Sequence, residues 1–170
     1  MKKLYLDKYL TVDGGWNTGL AFWTGTLHPE TKEIKLLPEI RRRNGQGKKL
    51  RYMWSNFENL LVKYEKEKLC LDSCIIEGIE LWEGSLKSMT SAKRGDIFTL
   101  ALLIGGYGRI CHEYGLALKY ILPSEWKGQL DDASVKYITH LINGEKYSSS
   151  HITDAVGIGL NEMGIFKRKK

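Results

Sequence analysis

The chain has few cysteines, no long apolar run, and no repeat or low-complexity stretch, and each shortage closes off a class of protein. Three cysteines (Cys70, Cys74, Cys111) cannot all pair, and none stands in a zinc-type doublet, so neither a disulfide framework nor a structural zinc site is expected. They read as buried or half-buried thiols. The longest apolar stretch, 97–104, is too short to span a bilayer and contains Thr99. No apolar segment follows the opening Met-Lys-Lys-Leu-Tyr, so no secretory leader and no membrane attachment are expected, and the setting is the reducing cytoplasm. Without a linker, residues 1–170 read as one domain, large enough to bury a core unaided.

What the chain does have is an apolar fraction of 42%, five tryptophans, and a formal charge of +6 with a pI near 9.1. The positive charges are gathered in runs: Arg41-Arg42-Arg43, Lys48-Lys49-Leu50-Arg51, and Lys167-Arg168-Lys169-Lys170. A basic balance alone points only weakly to a polyanionic partner. It means more beside clustered acids, because such a chain must attract phosphate while keeping carboxylates at its centre.

The pattern predicts strands at 9–13, 19–27 and 33–37, with 28–32 as a hairpin turn. A basic loop at 41–49 precedes a helix whose apolar stripe is Leu50, Met53, Trp54, Phe57, Leu60, Leu61 and Tyr64. A fourth strand, 69–79, is apolar enough to be buried on both faces. Residues 91–114 form a helix, apolar on most sides and therefore expected to be central; Gly105, Gly106 and Gly108 weaken it unless close packing needs them. A fifth strand at 116–122 stops at Pro123, and helices follow at 132–142 and 150–163. The order βββαβαβα describes an α/β fold of ribonuclease H-like type, a mixed five-stranded sheet with helices on both faces.

Three carboxylates stand at telling places. Asp13 ends the first strand before the turn Gly14-Gly15-Trp16-Asn17-Thr18-Gly19; Glu77 ends the run Cys74-Ile75-Ile76; Asp154 is placed in the first turn of the last helix. Strand parity puts Tyr9, Thr11 and Asp13 on one face, and Ser73, Ile75, Glu77 and Ile79 on one face. If the two strands are parallel neighbours, both acids emerge at one end of the sheet. His151 and Asp154, three apart, share a helix side beside the apolar stripe Ile152, Ala155, Val156, Gly159 and Met163. Each residue alone has a bland reading: an acid before Gly-Gly is usually a turn residue, and an acid in a first helical turn suits the dipole. Glu77 is harder to dismiss, since burying an unpaired carboxylate costs several kcal/mol, roughly. Together, clustered carboxylates are a Mg²⁺ site, and paired Mg²⁺ ions hydrolyse phosphodiesters.

In this setting the chain resembles the RuvC family of Holliday junction resolvases, in a small phage-like or viral-like form. Residues Asp13 to Ala21 resemble the family's Asp-Pro-Gly then Asn-Thr-Gly opening, and Ile75-Ile76-Glu77 its second acidic motif. Ser91-Ala92-Lys93-Arg94-Gly95 is similar to the start of its central helix. Leu122-Pro123-Ser124-Glu125-Trp126-Lys127, then Ala133-Ser134-Val135-Lys136, resembles its Pro-x-x-Val-Lys and Ala-x-Lys segment, and His151-Ile152-Thr153-Asp154-Ala155 its closing Asp-x-x-Asp-Ala. There are departures. Gly14 stands in place of Pro in a turn one residue short, the Lys127 to Lys136 interval is short, and His151 replaces the first acid of the closing pair. Mg²⁺ prefers oxygen ligands, so that last change bears on a second metal position.

The resemblance implies a metal-dependent endodeoxyribonuclease that cuts branched DNA, chiefly four-way junctions, by paired nicks from a homodimer. Two Mg²⁺ ions, for which Mn²⁺ would substitute, are expected on Asp13, Glu77 and Asp154, with Asp13 bridging. His151 is expected as a ligand or proton carrier, and Lys127 or Lys136 as the contact to the scissile phosphate. Recognition would be mainly of branched shape, and Trp82, Leu86 or Met89 is a candidate apolar wedge at the branch point. A broader flap and fork nuclease of the same fold stays open, as does an inactive junction-binding module. A sugar kinase with an Asp-Gly-Gly phosphate loop would need two such domains.

Overall fold

A computed structural model describes residues 8–15, 17–24, 33–36, 50–66, 71–80, 90, 95–144, 146–147 and 149–166. Cys70, the wedge candidates Trp82, Leu86 and Met89, the motif residues 91–94, and the basic runs at 41–43, 48–49 and 167–170 lie outside them.

The strands are β1 (Tyr9–Asp13), β2 (Gly19–Thr24), β3 (Glu33–Leu36), β4 (Ser73–Glu77) and β5 (Ala117–Ile121). The helices are α1 (Leu50–Lys66), α2 (Asp96–Glu113), α3 (Pro123–Trp126), α4 (Asp132–Asn143) and α5 (Ser150–Glu162). They build one five-stranded sheet in the order β3-β2-β1-β4-β5. β1 pairs antiparallel with β2 and parallel with β4; β4 pairs parallel with β5. This is the mixed ribonuclease H-like sheet expected, with β1 and β4 adjacent and parallel. The four-residue α3 was not expected. Pro123 ends β5 and then opens this helix, its fixed φ suiting a first helical position.

Alternation along the strands divides the interior in two. Leu10, Val12, Leu20, Phe22, Cys74 and Ile76 face α1 and α2, where they meet Met53, Phe57, Leu61, Leu103 and Tyr107. Tyr9, Ala21, Trp23 and Ile75 face α4 and α5, against Val135, Ala155, Val156, Ile158 and Leu160. Gly159 permits the close approach of α5: a Cβ there would overlap the Trp23 indole, and the Gly159 carbonyl accepts a 3.2 Å hydrogen bond from the Tyr9 hydroxyl.

The central-helix expectation for α2 needs correcting. One side packs on α1 and the sheet, but Phe98 is 74% and Leu102 59% exposed. Its apolar composition therefore covers an outer face as well as a core face. Of its glycines, Gly106 lies against Trp54 and Gly108 against the Tyr120 hydroxyl, whereas Gly105 faces open space. Cys74 and Cys111 are free thiols in the core.

Candidate metal centre

The β1–β4 register sets Tyr9 beside Ser73 and Val12 beside Ile76, so Asp13 and Glu77 end their strands at the same edge. Parity turns both toward the α5 layer. The turn after Asp13 is held by Thr18, whose hydroxyl donates to the Gly15 carbonyl at 2.8 Å and lies 2.8 Å from the Tyr107 hydroxyl of α2. From the other side α5 brings Asp154. The helix starts at Ser150 as expected, but Asp154 is its fifth residue, just past the first turn where it was expected, and no acid occupies that turn. The helix-dipole explanation for this residue therefore falls away, and Asp154 points at the strand ends instead.

One carboxylate oxygen from each of Asp13, Glu77 and Asp154 lies within 4.8 Å of the other two, and all three residues are buried. Like charges this close are costly in a dry setting. Burial first, and then the Asp13 carboxylate, push Glu77 up to about 7, against the opposing pull of Lys127 and the Trp126 N–H. Asp154 is raised by burial too, offset in part by Lys127.

The Lys127 ammonium sits between two of the acids, 2.6 Å from Asp154 Oδ2 and 3.4 Å from Glu77 Oε1. Burial pulls its pKa down, but Glu77, Asp154 and Asp13 outweigh this and hold it above lysine's ordinary value. Lys136 is exposed on α4 and shares none of the cluster's hydrogen bonds or ion pairs described here. Of the two candidate lysines, the fold thus brings only Lys127 to the acids. His151 Nδ1 lies 2.7 Å from Asp13 Oδ2, so the imidazole joins the cluster through Asp13 and stands outside the convergent carboxylate set.

The donor set fits a hard divalent cation. It is all oxygen, as Mg²⁺ prefers, and Asp154 Oδ1 is buried with no hydrogen-bond partner. A buried carboxylate oxygen without a donor is strongly disfavoured, and a bound cation would remove that penalty. Sequence reasoning missed one residue here: Trp126, fully buried, donates its indole N–H to Glu77 Oε1 at 2.9 Å. Its only local signal was a large aromatic next to Lys127.

No family model matches the sequence, and no curated protein matches it. Solved structures do. RuvC of Thermus thermophilus in complex with a Holliday junction substrate matches over 95% of this chain and 99% of its own, with a TM-score of 0.66 and 13% identity. A Thermus thermophilus RuvC structure matches over 94% and 98%, with a TM-score of 0.61 and 16% identity. At such low identity the likeness is one of architecture, and with the sheet order and layers above it establishes that this chain has the fold of RuvC.

Proposed function

We propose that this chain is a RuvC-type resolvase, a Mg²⁺-dependent endodeoxyribonuclease that cuts four-way DNA junctions by paired nicks. The observation carrying this reading is the convergence of Asp13, Glu77 and Asp154 at the ends of β1 and β4 and on α5. A fold matched almost end to end by a RuvC in complex with a Holliday junction supports four-way junctions as the substrate class.

Asp13, Glu77 and Asp154 would hold the metal, with Asp13 central; Mn²⁺ would serve in place of Mg²⁺. When bound, such ions supply a nucleophilic water at neutral pH and stabilise charge on the departing oxygen. The remaining work falls to the chain's own side chains. Lys127 ion-pairs with Glu77 and Asp154 and partly offsets their charge, and is the ammonium nearest to where a scissile phosphate would lie. The contact of His151 with Asp13 supports a role in orienting that acid and as either a metal ligand or a proton carrier. Lys136, on the exposed side of α4, offers a contact to the DNA backbone. The pairing of Asp13 with Gly19 and of Glu77 with Ile121 holds these two acids in the sheet before substrate arrives, as electrostatic preorganisation requires.

A homodimer would place two such sites on one junction. The exposed apolar side of α2, Phe98 and Leu102, suits a two-fold contact in which the same face meets itself. Among the described residues no helix is long and apolar enough to cross a membrane.

The deciding experiment offers the purified protein a labelled four-way junction, a fork, a flap and a linear duplex, with Mg²⁺ and with chelator. Symmetric paired nicks in the junction, dependent on metal, are expected. Equal cutting of flaps and forks would replace junction resolution by a broader branched-DNA activity. Binding without cutting under every metal would leave an inactive junction-binding module. The double substitution Phe98→Glu and Leu102→Glu should yield monomers in sedimentation and single rather than paired nicks.

A further inference from the structure

We infer that Trp126 is a positioning residue for the metal centre: its indole N–H fixes the orientation of the Glu77 carboxylate that a cation would need. The inference rests on the metal-dependent reading above. The hydrogen bond, 2.9 Å from Nε1 to Oε1, is buried and joins residues 49 apart in sequence. A glutamate's terminal torsion is broad, so a free carboxylate would rotate. Tying one oxygen to a fixed donor selects one orientation.

The donor is itself held still. Trp126 is fully buried, and a Cβ on Gly157 would come within 2.5 Å of its ring, so α5 can pack this closely only with glycine there. Phe166 meets the indole edge-on, with centroids 5.6 Å apart. The short helix that carries it is pinned at both ends of its first turn. The Leu122 N–H donates to Glu125 at 2.5 Å, and the Ser124 N–H donates to Glu80 at 2.8 Å, just beyond β4.

A neutral donor suits this position for an electrostatic reason. Lys127 also reaches Glu77 Oε1, but as a full positive charge it competes with a cation for the same carboxylates. The indole N–H orients and stabilises the carboxylate without that competition. The ring has a second contact, since the Lys127 ammonium lies 4.9 Å from its centroid. One side chain thereby holds both the acid and the ammonium that balances it.

The test replaces Trp126 by benzothienylalanine, the same bicycle with sulfur in place of N–H, with 5-fluorotryptophan as a control that keeps the donor. Mn²⁺ affinity is read by electron paramagnetic resonance on the protein without DNA, alongside the melting temperature and the metal dependence of junction cutting. Loss of an outer hydrogen bond to a metal ligand typically weakens binding by about 10- to 100-fold. That loss is expected for the sulfur variant, with a melting temperature near that of the parent, raised metal demand in cleavage, and an unchanged KM for the junction. The fluorinated control should match the parent. Parent-like Mn²⁺ affinity in the sulfur variant would overturn the inference and make Trp126 packing alone, whether or not the protein cuts DNA. A parent protein that binds no Mn²⁺ would overturn the metal-centre reading as well, so the two failures are told apart by the parent's own titration.

Discussion

The two faces of the sheet are made from alternate residues of the same strands, yet they are built by different chemistry. On the α1–α2 side, Leu10, Val12, Cys74 and Ile76 meet aliphatic and aromatic partners. On the α5 side, β1 presents Tyr9, Thr11 and Asp13, and its polar atoms are spent on the helix backbone and on Trp23. The Thr11 hydroxyl donates to the Ala155 carbonyl at 2.6 Å and accepts from Trp23 Nε1 at 2.8 Å. Tyr9 stacks on Trp23 with centroids 5.7 Å apart. One face stabilises by area removed from water; the other holds α5 in a definite register by directional bonds. That register carries Asp154 to the strand ends, so the polar face positions the site and the apolar face supports it from behind.

The sharpest break in this comparison is expected from the acids themselves. Asp13→Asn, Glu77→Gln and Asp154→Asn should each lower the single-turnover cleavage rate by at least about 10³-fold, near the upper range for removing one preorganised electrostatic group. Junction binding should persist or strengthen, because each change removes repulsion of phosphate. Near-parental nicking by any of the three would detach the cluster from the chemistry.

Behind the sheet the effect should be reversed in kind. Ile76→Ala, one residue before Glu77 and fully buried, should cost about 2–5 kcal/mol in denaturant unfolding. The surviving folded protein should keep parental Mn²⁺ affinity. A large loss of affinity at small stability cost would mean that the two faces are not separable.

The acidic end should also be a stability liability without metal. Glu77 holds its proton more tightly folded than unfolded, so its contribution is complete below its ordinary value of 4.5 and is lost as pH rises through about 7. The metal-free melting temperature should therefore fall across that interval, Glu77→Gln should flatten the fall, and added Mg²⁺ should restore stability most at the alkaline end. A melting curve indifferent to both substitution and metal across this window would contradict the origin assigned to the shift.

The smallest expected effect lies in the polar face away from the acids. Thr11→Val keeps the shape but leaves the Trp23 N–H without its partner, at a cost of about 1–3 kcal/mol in stability. If the bonds set the register of α5, Mn²⁺ affinity should fall with it, whereas Ile76→Ala should leave affinity alone.

Much of this was legible locally. The alternation in β1 and β4 placed Asp13 and Glu77 on the same face, and the small residue Gly159 in the stripe of α5 marked where that helix touches the sheet. The exposed side of α2 was not legible, because an apolar helix packed on one side and one packed on all sides share a composition. The last helix starts at Ser150, as its pattern predicted, but Asp154 lies just past its first turn, so its role follows from how α5 packs on the strand ends and not from the helix terminus.

The sequence by itself determined the order of the strands and longer helices and the face each strand residue takes, because these follow from periods of two and of 3.6 residues, and it singled out the three acids as candidates. Only the tertiary structure decided that Lys127 and not Lys136 meets the acids, that His151 reaches them through Asp13, and that Trp126 holds Glu77. Those contacts join residues 27, 138 and 49 positions apart. Their geometry depends on where β5 ends, how α3 turns and how closely Gly157 and Gly159 let α5 approach, distances that no local pattern encodes.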